Sequence, residues 1–245
     1  MWQQPANDIA AQLITLLCQE QAPLSISSQD ADYWSNLQVY RSVWQNFKIY
    51  ALPTGWIHLE LRAIGLAEWL QLLVNPLPIV ENPALLEVPS AFADRRNSTK
   101  AFEILYTYSR CTALLQLGNQ AKLVQLAPNL NAAGVPTYMH TPCPLPWLNS
   151  HQQLRWHEPS ELELLAQIIE GWDALGMEDL CWEQRWKTAY RLSQTFQGFY
   201  RSCRIFGEVA TTTPELAQTR LGLVLMTQIL LHHLVSSMLP LAIDL

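Results

Sequence analysis

With 245 residues the chain suits one large domain, or a medium domain with a small companion. Hydrophobic residues make up 49% and charged residues 15%, against roughly 25% charged in an average protein, which implies a large filled core under a sparsely charged surface. The formal net charge of −6 excludes a protein that holds nucleic acid by bulk positive charge.

Five scattered cysteines (Cys18, Cys111, Cys143, Cys181, Cys203) form no C-x-x-C pair. Their odd number argues against a disulfide framework and for a reduced, cytoplasmic setting. The start, Met1-Trp-Gln-Gln-Pro, lacks the basic and apolar runs of a signal peptide.

The first 75 residues read as a small α+β domain. Helical spacing over 7–21 brings Ile9, Leu13, Leu16 and Leu17 to one side. Phe47 to Leu52 is strand-like, Pro53-Thr54-Gly55 is a turn signal, and Trp56 to Leu61 alternates. That alternation places Ile57, Leu59 and Leu61 on one face of a half-buried strand in an antiparallel pair. Ala63 to Val74 returns to helical spacing. Residues 76–97, with Pro76, Pro78, Pro83 and Pro89, read as a Pro-rich linker.

Residues 98–245 read as all-helical, because the long proline-free gaps leave room for uninterrupted helices. A helix over 98–117 is expected to end at a Gly118-Asn119 C-cap. A Pro-rich loop follows over 128–159. Pro159-Ser160 opens the next helix, with Ser160-Glu161-Leu162-Glu163 in capping-box form. One long helix is expected from Asp179 to Phe206, and a last one from Pro214 at its first helical position. The 23 residues from Leu221 to Ile243 carry no Asp, Glu, Lys or Arg. They do contain Thr227, Gln228, His232, His233, Ser236 and Ser237, and no basic cluster flanks them, so they read as a buried central helix rather than a membrane span.

The helix over 179–206 carries the most information. At about 100° per residue, Ala189, Leu192, Phe196, Phe199, Tyr200 and Cys203 share one face, and Lys187, Arg191 and Arg201 the opposite one. Between Cys181 and Arg204 there are five Lys or Arg against the single acid Glu183. Two readings of this stripe stay open. It is a solvated helix face, or a local phosphate-binding surface in a chain that is acidic overall, since fields are local at physiological salt.

Other chemistry is weaker. His140, Cys143, His151 and His157 crowd the loop, but no second ligand pair completes a metal site, and neither metal nor cofactor is expected. His232 lies one turn after Gln228 and reads as part of a hydrogen-bonded core cluster. Glu161 and Glu163 read as acids that suit a helix N-terminus, not as a catalytic pair. Trp2, Trp34, Trp147 and Trp156 fall in segments read as loop or terminus and are candidate anchors for a protein partner.

Several segments carry a resemblance. Ala101-Phe-Glu-Ile-Leu-Tyr-Thr-Tyr-Ser-Arg-Cys, Glu161-Leu-Glu-Leu-Leu-Ala-Gln-Ile-Ile, Arg191-Leu-Ser-Gln-Thr-Phe-Gln-Gly-Phe-Tyr-Arg-Ser-Cys-Arg and Thr219-Arg-Leu-Gly-Leu-Val-Leu are similar to the successive helices of DALR domains. The third matches best, through Leu192, Phe196, Phe199, Tyr200 and Cys203. This bundle is the anticodon-binding part of arginyl-tRNA synthetases. Ala51-Leu-Pro-Thr-Gly-Trp-Ile-His-Leu more faintly resembles the last strand of those enzymes' N-terminal additional domain.

The chain departs from the synthetases elsewhere. It has no His-x-Gly-His, no Lys-Met-Ser-Lys-Ser and no Gly-rich phosphate loop, and Pro240-Leu-Ala-Ile-Asp-Leu stands where a Gly-Ile ending is usual. The resemblance therefore implies a stand-alone, non-catalytic relative: a mainly α, DALR-type helical bundle behind a small α+β domain. It implies tRNA as partner, with candidate contacts Tyr106, Arg110, Arg185, Lys187, Tyr190, Arg191, Arg201 and Arg204, where aromatic rings stack on splayed bases and cations hold phosphates. The alternative is a protein-interaction module that kept the fold and lost RNA, which the acidic charge and the ten Trp favour.

Overall fold

The computed structural model describes residues 5–20, 41–74, 99–126, 138–177 and 180–239. Trp2, Trp34, Glu178, the proposed linker and the C-terminal tail from Pro240 lie outside them, as does the middle of the Pro-rich loop. The chain is mainly α, with two small antiparallel sheets among the described residues. It divides into two compact units, one of residues 1–73 with 148–154, the other of 74–147 with 155–245.

In the first unit, helix α1 (Ala6–Glu20) packs on a hairpin of β1 (Phe47–Ala51) and β2 (Ile57–Leu61), followed by α2 (Ala63–Val74). The strands pair antiparallel from Phe47 opposite Leu61 to Ala51 opposite Ile57. The turn needs Gly55 twice over. Its φ of +84° is a left-handed conformation, and a Cβ there would lie 2.8 Å from that of Ala6. The alternation of β2 misleads at one position: Leu59 is 52% exposed, so the face assigned to the core is not fully covered.

The second unit is a helical bundle. Its long helices are α3 (Thr99–Gln120), α4 (Pro159–Leu175), α5 (Trp182–Ser202) and α7 (Pro214–Val235), with a short α6 (Glu208–Thr212) before the last. A two-stranded sheet of β3 (Gln125–Leu126) and β4 (Met139–Thr141) sits after α3. Helix α7 packs against α3, α4, α5 and α6, and nearly every residue from Ala217 to Val235 is buried. A helix that is apolar all round can be stable only in the middle of other helices. Among the described residues no helix is long and apolar enough to cross a membrane.

Close approach explains two glycines. A Cβ on Gly118 would lie 2.6 Å from Leu221 Cδ1, and one on Gly222 would run into the Trp147 ring. Gly118 is therefore a packing residue inside α3, not the expected C-cap. The helix runs two residues further, to Gln120, and Lys122 just beyond it takes φ +56°. There the Leu123 N–H donates to Gly118 O (3.0 Å) and the Lys122 N–H to Asn119 O (3.1 Å), a Schellman closure with lysine in the position that favours glycine.

Other expectations are corrected. Pro159 takes the first helical position of α4, so the N-cap is Glu158 and the acid of the capping box is Glu161, not Glu163. Glu161 Oε2 accepts the N–H groups of His157 and Glu158, both at 2.9 Å. Helix α5 stops at Ser202 rather than Phe206, because Cys203 is extended and Gly207 turns at φ +77°. Trp147 and Trp156 are buried, stacked edge-on at 5.6 Å, with Trp156 Nε1 donating to Thr219 Oγ1 (3.2 Å). They serve as core, which rules them out as surface anchors.

Candidate nucleic-acid interface

Helices α3 and α5 lie side by side. Lys100 Nζ sits 5.0 Å from the Tyr190 ring centre, and the Arg110 guanidinium sits 4.5 Å from that of Tyr200. Both contacts advance by ten residues on each helix, about 15 Å at 1.5 Å per residue, so the helices run in the same direction. Each cation–π contact contributes roughly 0.5–2 kcal/mol, more where water is excluded. Arg110 Nε is enclosed and has no hydrogen-bond partner among the described residues, so the stack on Tyr200 is its principal contact. Tyr200 in turn runs parallel to Phe196, with ring centres 6.4 Å apart and planes at 6°.

The amphipathic pattern of α5 holds. Ala189, Leu192, Phe196, Phe199 and Cys203 are buried, Tyr200 is half-buried at the edge, and Lys187, Arg191 and Arg201 are exposed. Tyr106 is exposed on α3, and Tyr190 is half-buried with its hydroxyl accepting from Gln194 Nε2 (2.9 Å). Tyr108, on the core side of α3, is unavailable to a ligand; burial, reinforced by Cys111, pushes its phenol up to about 12.

The structure sorts the candidate cations. Arg110 lies on the α3–α5 seam, and Lys187, Arg201 and Arg204 are exposed without an ion-pair partner among the described residues. Arg191 meets Glu170 of α4 at 3.5 Å, both more than half exposed, a pair worth at most about 1 kcal/mol. Arg185 turns inward: Nη1 donates to His233 O (3.2 Å) and Nε to Leu180 O (3.4 Å). Its charge therefore sits at the C-terminal end of α7, where a cation suits the helix dipole.

One feature had no sequence signal. Glu161 and Arg220, 59 residues apart, form a buried ion pair at 2.6 Å, and Arg220 Nη1 also donates to the carbonyl of Arg204. This clamp ties α4, α7 and the end of α5 together, so it fixes the backbone that carries Arg201 and Arg204. Lys100 also joins the seam, and Phe102, outside it, stands one turn before Tyr106, a spacing readable in the sequence that puts two rings on one face.

Gln228 donates to Thr112 Oγ1 (2.7 Å), and His232 packs edge-on against His233 at 5.9 Å, so this polar group belongs to the core. Among the described residues no three His, Cys, Asp or Glu come together in a way that could hold a metal ion.

The model of the DALR anticodon binding domain matches residues 104–238, more than half of the chain. No curated protein and no solved structure gives a significant match. The matched segment includes every candidate contact from Tyr106 to Arg204 and leaves out Lys100 and Phe102.

Proposed function

The chain belongs to the DALR anticodon binding domain family, and from that premise we propose that it binds tRNA, through an unpaired loop, without acting on it chemically. The observation that carries the proposal is the seam between α3 and α5, where Lys100 stacks on Tyr190 and Arg110 on Tyr200 along a bundle that matches the family from residue 104 onward. Unpaired bases are recognised by rings that stack on them, and phosphates by Arg and Lys, which is the residue set present here. In this reading Lys187, Arg201 and Arg204 hold phosphates, Tyr106 and Tyr190 meet bases, and Arg110 orders the seam. Arg185 and Arg191 contribute less, because one is committed to backbone carbonyls and the other to Glu170. The bound tRNA is presented to a partner enzyme, and the first unit plays the part of the synthetases' additional domain.

The test reverses two exposed charges, Lys187→Glu with Arg201→Glu, in the full chain. The expected result is at least about ten-fold weaker tRNA binding and a salt dependence shallower by roughly 1.5 in log–log slope. Wild-type affinity in this variant would remove the site assignment.

A second reading has its own support. Leu13, Leu16, Trp56 and Leu59 of the first unit are 46%, 58%, 72% and 52% exposed, a pattern suited to a protein contact. Retained tRNA binding with loss of partner capture in Trp56→Ala would assign the two activities to separate units.

A further inference from the structure

We infer that Phe102 and Tyr106 form a two-ring platform on which consecutive unpaired bases of an RNA strand stack. The inference rests on the RNA-binding reading above and extends it beyond the family-matched segment, which begins at residue 104.

Both rings are at the surface, Phe102 67% and Tyr106 44% exposed. They are one helical turn apart and nearly parallel, with centres 6.3 Å apart and planes at 21°. They are not displaced core, since the core positions of α3 are filled by Ala101, Ile104, Tyr108 and Cys111. The next residue at that spacing is Arg110, whose guanidinium stacks on Tyr200, which runs parallel to the buried Phe196. Positions 102, 106 and 110 thus follow one another at one-turn spacing from the exposed Phe102 toward the buried Phe196, and the exposed end presents flat apolar surface.

The charge of the two seam helices selects the occupant. Helix α3 carries Lys100 and Arg110 against Glu103, and α5 carries Arg185, Lys187, Arg191 and Arg201 against Glu183. With Arg185 turned to the His233 carbonyl and Arg191 paired with Glu170, Lys187 and Arg201 remain as exposed cations on α5 and Lys100 on α3, in a chain whose formal net charge is −6. The partner is anionic and offers planar faces. A single-stranded nucleic acid meets both requirements; an acidic peptide meets the first alone, and a duplex keeps its bases stacked inside.

The test uses the full chain, a labelled oligouridine strand and an abasic strand of equal length and charge. Phe102→Ala is expected to weaken oligouridine binding by about ten-fold or more, the scale of one lost stacking contact. Abasic binding and the salt slope should stay unchanged, because no charge is removed. Phe102→Trp should retain affinity, and the exposed position predicts an unaltered urea midpoint for both variants. Equal oligouridine affinity in wild type and Phe102→Ala would overturn the platform, as would equal losses on the two strands. Should Phe102→Ala be silent while Lys187→Glu with Arg201→Glu weakens tRNA binding, the platform alone fails. Should wild type bind neither tRNA nor oligouridine, the RNA-binding reading fails with it.

Discussion

Helices α5 and α7 have nearly the same length, 21 and 22 residues, and opposite designs. Helix α7 is enclosed along most of its length and carries two charged residues, Glu215 and Arg220, the second inside a buried pair. Helix α5 buries one side through Trp186, Ala189, Leu192, Phe196 and Phe199 and turns cations to solvent on the other. A helix with no exposed face can only hold the bundle together, whereas one with a free cationic face can hold the bundle and a ligand at once. Substitutions in α7 should therefore read out as stability, and those on the outer side of α5 as binding.

The sharpest test of that division is Arg220→Ala. It leaves the Glu161 carboxylate buried without its cation, and chemical denaturation should show a loss of about 3–5 kcal/mol. The double change Glu161→Met with Arg220→Met should recover most of this. It keeps a deficit of about 1 kcal/mol for the lost N-terminal cap. A small effect of Arg220→Ala would mean that the pair is not the clamp described.

Gly222→Ala comes next. A methyl group there meets the Trp147 ring, and the strain should cost about 1–3 kcal/mol. At the end of α3, Lys122→Gly should stabilise by up to about 1 kcal/mol, because glycine takes the positive φ without strain. On α5, Lys187→Glu with Arg201→Glu should move stability by less than about 0.5 kcal/mol, as exposed positions do, while weakening tRNA binding. A large loss of stability in that variant would break the distinction between the two helices.

The inner side of α5 was legible in advance because burial follows a 3.6-residue period, which needs nothing beyond the helix itself. The placement of α7 was legible for the same kind of reason, a long run without charge that cannot stay exposed. Contacts between residues distant in sequence were not. Arg185 looks like any exposed cation until His233, 48 residues on, is seen to offer its carbonyl. Gly118 has the look of a helix terminator until Leu221 is seen to press on it. Trp147 and Trp156 sit in a Pro-rich loop, and only the packing across Thr219 and Gly222 makes them core. The seam was half legible: the stripe on α5 follows from periodicity, but that Lys100 and Arg110 face Tyr190 and Tyr200 depends on two helices lying parallel.

Whether this bundle binds tRNA is decided by titrating the full chain with total tRNA at low and at physiological salt. Micromolar or tighter binding is expected at low salt. For three phosphate contacts, those of Lys187, Arg201 and Arg204, the affinity should fall roughly 30-fold between about 50 mM and about 200 mM salt. Absence of binding at low salt would contradict a tRNA-binding function.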